Sequence, residues 1–132
     1  MATEPVGWAP GSPWFAEGFK HIQTVNLDDV EIRLLPLGYF LATKFSAFYD
    51  RGGIDPRTSH DFEDITYILD NQMELVDILS IAQGRVLDYL KAEFTTILSS
   101  PRMKEAILVN LYPTTQSERL NLIMDKLKAI IN

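Results

Sequence analysis

The chain has 132 residues, 46% of them apolar and 23% charged, which suits one compact domain and excludes wholesale disorder or a fibrous low-complexity structure. With no cysteine and two lone histidines, it offers no disulfide, no thiolate nucleophile and no Cys-based zinc site. A net charge of −6 and a pI near 4.8 give long-range attraction the wrong sign for an extended nucleic-acid groove or an anionic membrane surface, so any anion site has to be local.

The first 18 residues hold three of the seven prolines and three of the seven glycines among Trp8, Trp14 and Phe15, which predicts an irregular arm with docked aromatic rings. Glu4 and this punctuation speak against a signal peptide, and no later run approaches the roughly 18 apolar residues of a membrane span. A cytoplasmic protein without a membrane partner is expected. From about residue 19 to 35, Ile22, Thr24, Val25 and Leu27 precede Asp28-Asp29, after which Val30, Ile32 and Leu34 alternate with Glu31 and Arg33. This alternation predicts a β-hairpin.

After Pro36 the period becomes helical. Phe40, Leu41, Phe45 and Phe48 form one stripe of a helix over about Leu37–Tyr49, which ends at Arg51-Gly52-Gly53. Thr58 and Ser59 are good N-cap residues for a second helix, with Phe62, Ile65, Ile68 and Leu69 on one face until Asp70-Asn71. A short helix near Glu74–Ser80 and a longer one near Gln83–Leu98 follow, the latter with Val86, Leu87, Leu90, Phe94 and Ile97 inward. Ser100 caps a further short helix opened by Pro101. Thr115 and Glu118 read as the capping box of a final helix carrying Leu120, Ile123, Met124, Leu127, Ile130 and Ile131. The expected fold is α+β and helix-dominated: a single domain with an arm (1–18), a β-hairpin (19–35) and a bundle of about five helices (37–132).

Two residues break the pattern. Lys44 lies in the angular middle of the apolar stripe, where its stem either covers apolar surface while the ammonium snorkels out or presents the ammonium to a phosphate. Asp61 projects on the same side as Ile65 and Ile68, with Asp64 one turn on at the flank, whereas Glu63 and Asp70 point away. Acids in a first turn ordinarily complement the helix dipole. An inward acid and an inward lysine on consecutive helices can also satisfy each other or jointly line a cleft, and burying either alone would cost several kcal/mol. Arg51, with Gly52-Gly53, and Arg57 lie in the intervening loop, where they either cap the helix end or present guanidinium forks to phosphate. His60 reads as a solvated residue of the first turn. No Walker loop, His-Glu-x-x-His or Ser/His/Asp arrangement is present.

At Ala42-Thr43-Lys44-Phe45-Ser46-Ala47-Phe48, Arg51-Gly52-Gly53 and Ser59-His60-Asp61-Phe62-Glu63-Asp64-Ile65, the chain resembles the abortive-infection (AbiEii-like) nucleotidyltransferase family. The similarity runs from about Trp14 to the C-terminus, as though the chain were the C-terminal half of such an enzyme. The resemblance implies that Lys44 serves the triphosphate and that Asp61 and Asp64 complete a catalytic cleft; Arg51 and Arg57 join as further phosphate ligands on the reading of the loop itself. It also implies a toxin–antitoxin setting. The family's upstream Gly-Ser motif with two aspartates, and a third carboxylate on a following strand, hold magnesium there. None of these is present here, since Gly11-Ser12 is followed by Pro13-Trp14 and not by Asp-x-Asp.

Two classes of function are expected from these residues. In the first, a nucleotidyltransferase-like domain retains the lysine/aspartate half of a nucleotide cleft, is inactive alone, and uses magnesium with a nucleoside triphosphate only when the missing half is supplied. In the second, the chain is a non-catalytic interaction or regulatory module and Lys44–Asp61 is a structural ion pair. A lone hairpin leaves a free strand edge, so a homodimer or a partner chain supplying strands is expected.

Overall fold

The computed structural model describes residues 13–51, 55–81 and 84–132. Trp8, Gly11-Ser12 and the Gly52-Gly53 turn lie outside the described residues. Residues 13–18, expected to be irregular, are helical: α1 spans Pro13–Phe19. Proline suits a first helical turn because its φ is already helical and its missing N–H would have no intrahelical partner. Trp14 is 6% exposed, with its ring 5.0 Å from that of Tyr89 and the Arg85 guanidinium over its face. A short segment that periodicity cannot register is thereby fixed by one large buried ring.

The hairpin pairs β1 (Gln23–Leu27) with β2 (Val30–Leu34) antiparallel, Val25 opposite Ile32. Asp28 and Asp29 both take positive φ, 50° and 65°, the backbone of the two-residue turn whose twist matches the strands. Cross-strand partners share a face, so Val25, Leu27, Val30, Ile32 and Leu34 form one apolar face. Yet Val25, Leu27, Val30 and Leu34 remain exposed, so the alternation that marks the strand does not end in burial.

The remaining elements are α2 (Leu37–Asp50), a 3-10 turn (Pro56–Thr58), α3 (His60–Asn71), α4 (Leu75–Ser80), α5 (Arg85–Ser99), α6 (Pro101–Val109) and α7 (Gln116–Ile131). The described residues thus hold seven α-helices: the six read along the sequence after Pro36, short α4 and α6 among them, and α1, which falls where an irregular arm was expected. Helix α2 packs on α1, α3, α4 and α5, while α7 packs on α3, α4, α5 and α6, and the core lies between them. Phe45, Phe62, Phe94, Leu41, Ile65, Leu90 and Leu127 are fully buried there.

Ser59 and Ser100 cap as their sequence positions predict, accepting from Phe62 N and Met103 N at 3.1 and 3.2 Å. The capping box at Thr115 and Glu118 does not form. Thr115 occupies the N-cap position without a side-chain bond to the helix. Its own N–H is taken by Tyr112 O, and Gln116 Nε2 ties the start of α7 to Leu108 O at 3.1 Å. No helix among the described residues is long and apolar enough to cross a membrane.

Candidate functional site

Lys44 and Arg51 are seven residues apart on α2 and its C-cap, close to two helical turns, so they share a side of the helix. Asp61 and Asp64, three apart near the start of α3, share a side in the same way. The two rows face each other in reversed order. Arg51 Nη1 donates to Asp61 Oδ2 at 2.6 Å and Lys44 Nζ donates to Asp64 Oδ2 at 2.8 Å. Lys44 Nζ also stands 3.9 Å from Asp61 Oδ1. The inward pair of the sequence reading is therefore one diagonal of a four-residue network, and its shortest bonds run to Arg51 and Asp64.

Burial grades the members. The Asp61 side chain is 7% exposed and that of Lys44 19%, against 50% for both Arg51 and Asp64. A carboxylate this buried needs compensation, and two cations reach its two oxygens. Lys44 additionally lies 5.5 Å above the Phe40 ring, a favourable place for an ammonium.

Beside the network an open cleft of about 460 Å³ is lined by Phe48, Arg51, Asp55, Thr58, Ser59, His60 and Asp61. The 3-10 turn shapes its rim: Asp55 accepts from Arg57 N and Nε, which hold its carboxyl below the usual carboxylate range. His60 is 96% exposed, as expected of a solvated first-turn residue. Lys44, Asp64 and Arg57 are not among the lining residues. Arg57 is engaged by Asp55 and by Glu105 of α6, both at 3.3 Å. The structure thus gathers Lys44, Arg51, Asp61 and Asp64 and leaves Arg57 apart.

Asp61 and Asp64 do not fit a magnesium ion. Each is engaged by a cation, and among the described residues no three His, Asp or Glu side chains gather as a ligand set.

Two further polar clusters escape the sequence reading. Asp70, expected to point away, faces α7, where Arg119 takes both its oxygens at 2.8 and 2.9 Å. Lys126, also on α7, donates to Leu69 O and Gln72 O at the end of α3, and burial holds its ammonium below the usual lysine value. Tyr49 Oη donates to Glu93 Oε1 at 2.5 Å, joining α2 to α5. All of these bonds span 44 or more residues of sequence, and no local spacing signals them.

Compared with known proteins, the chain matches no family model, no curated protein and no solved structure. The resemblance to the nucleotidyltransferases rests on the residues of the sequence alone.

Proposed function

We propose that the chain is a nucleotidyltransferase-like domain in which Lys44 and Arg51 hold the phosphates of a nucleoside triphosphate, and that it transfers no nucleotide alone for want of metal-holding carboxylates. The convergence of Lys44, Arg51, Asp61 and Asp64 beside one cleft supports this reading, because the resemblance singles out Lys44, Asp61 and Asp64 and the loop reading adds Arg51. Arg51 reaches Asp61 through Nη1, and half its side chain is exposed at the cleft wall, where a phosphate oxygen can reach the guanidinium. Thr58 and Ser59 line the same wall, at the N-terminal end of α3. Asp61 competes for the same cation, so binding is weak.

Titration of the full chain with ATP and with inorganic triphosphate, followed by calorimetry and phosphorus NMR, tests the reading. Weak saturable binding that Arg51→Met and Lys44→Met each remove is expected, together with no magnesium-dependent transfer of radiolabel to RNA or protein. Failure of both ligands to bind would sink the phosphate site. Robust transfer by the purified chain would sink the claim of inactivity.

The charge balance favours a second reading. Two cations face two carboxylates, and Lys44 stays outside the cleft lining, as suits a structural network in a non-catalytic interaction or regulatory module. Absence of triphosphate binding, combined with strong destabilisation on removing both cations, would select it.

A further inference from the structure

We propose that the chain forms a two-fold dimer in which β2 pairs antiparallel with β2 of a second copy, centred on Ile32. The sheet has two strands, and among the described residues no other strand pairs with either edge. A hairpin with both edges open is marginal in water, and an open edge is a template for another chain.

The hydrogen-bond phase of the edge is set by the turn. The two-residue turn at Asp28-Asp29 makes Leu27 and Val30 a hydrogen-bonded pair, so Val25–Ile32 and Gln23–Leu34, two steps and four steps on, exchange bonds as well. The backbone groups of Glu31 and Arg33 therefore point away from β1, toward the open edge. A second β2 can bond to that edge only where its own Glu31 and Arg33 face these residues, which limits the antiparallel registers.

Charge selects among them. Centring the pair on residue 31 or on residue 33 sets Glu31 against Glu31 or Arg33 against Arg33, and like charges directly opposite are destabilising. Centring it on Ile32 sets each Glu31 opposite Arg33 of the other copy, with Val30 opposite Leu34 and Ile32 opposite itself. The segment Val30-Glu31-Ile32-Arg33-Leu34 is thus self-complementary about its middle residue, as a two-fold interface requires. Glu31 and Arg33 are available for this: their side chains are 61% and 72% exposed, and their mutual contact within one copy is long, 3.9 Å. The same pairing brings Val30, 59% exposed, beside Leu34, 46% exposed, of the second copy.

Charge reversal followed by mixing tests the dimer, with mass read by light scattering on the full chain. Wild type at high concentration is expected at twice the 15.0 kDa chain mass. Glu31→Arg and Arg33→Glu each set like charges opposite and are expected to run as monomers. The double reversal restores the dimer, and an equimolar mixture of the two single variants forms a heterodimer because every facing pair is then of opposite sign. Unchanged circular dichroism of these exposed-site variants controls for folding. A wild type that stays monomeric, or dimers indifferent to the reversals, overturns the proposal. Independently, Ile32→Cys gives a cysteine-free chain a single thiol that meets its copy across the two-fold at a Cα separation of about 4.5 Å, within disulfide reach. Oxidation is expected to cross-link it and not Thr24→Cys on β1; cross-linking of Thr24→Cys instead places the contact on the other edge and overturns the proposal.

Discussion

Arg51 holds Asp61 from the end of the preceding helix, 2.6 Å from Nη1 to Oδ2, while Lys44 stands at 3.9 Å on the other carboxylate oxygen. Asp61 thus has two cations where one would keep it from being an unpaired buried charge. Either cation can be removed with the other left in place. Arg51→Met and Lys44→Met are each expected to destabilise by about 1 kcal/mol, while the double variant strips Asp61 and loses about 3–5 kcal/mol. Urea unfolding of the four proteins of this cycle measures the excess. Additive losses would show that the two cations do not share Asp61.

The glycines of the first two helices predict opposite signs for one substitution. A Cβ at Gly18 would stand 2.7 Å from Leu35 Cδ1 and 2.8 Å from Tyr39 Cβ, and the latter cannot swing away without moving α2. At Gly38 a Cβ meets Leu79 Cδ2 at 3.5 Å, an ordinary contact. Gly18→Ala is expected to destabilise by about 1–3 kcal/mol through overpacking. Gly38→Ala is expected to stabilise by about 0.5–1 kcal/mol through helix propensity and reduced freedom of the unfolded chain. Thermal midpoints shifted in the same direction by both variants would contradict this account of the space around the two glycines.

Elements with a long apolar period or a serine cap were legible in the sequence: α2 ends at Asp50 against an expected Tyr49, α4 starts at Leu75 against Glu74, and α6 opens on Pro101 as expected. Helix α1 was not, because it is short and its one anchoring ring, Trp14, takes its meaning from Tyr89 and Arg85 far along the chain. The same limit applies to the site. Rotation about α2 and α3 gave the inward faces of Lys44 and Asp61, but the order of pairing depends on the antiparallel approach of the helices and on Arg51 at the cap. Asp70 illustrates the converse error: it is off the apolar stripe of its own helix, yet α7 brings Arg119 and Lys126 to that flank.

Thr66 carries a hydroxyl that is buried without a hydrogen-bond partner among the described residues. A buried donor left unpaired is penalised by its lost hydration, and valine has nearly the same shape without that group. Thr66→Val is expected to raise stability by about 1 kcal/mol. A lowered urea midpoint would mean that the hydroxyl is satisfied.

Glu93 makes stability depend on pH through a contact distant from the candidate site. Burial raises its carboxyl above the ordinary glutamate value, and the bond donated by Tyr49 only partly opposes this. As pH climbs past about 4.3, the ordinary glutamate value, the unfolded chain releases this proton while the folded chain still keeps it. The unfolded state then binds fewer protons, so the contribution of Glu93 to stability falls with rising pH until its folded value is passed, and is level beyond. Glu93→Gln cannot titrate. The stability of wild type relative to Glu93→Gln is therefore expected to decline across this window, in urea titrations at successive pH values. Tyr49→Phe removes the bond that favours the ionised carboxylate, so the decline should extend to higher pH in that background. A difference that is flat, or that grows in favour of wild type as pH rises, would show that burial does not govern Glu93.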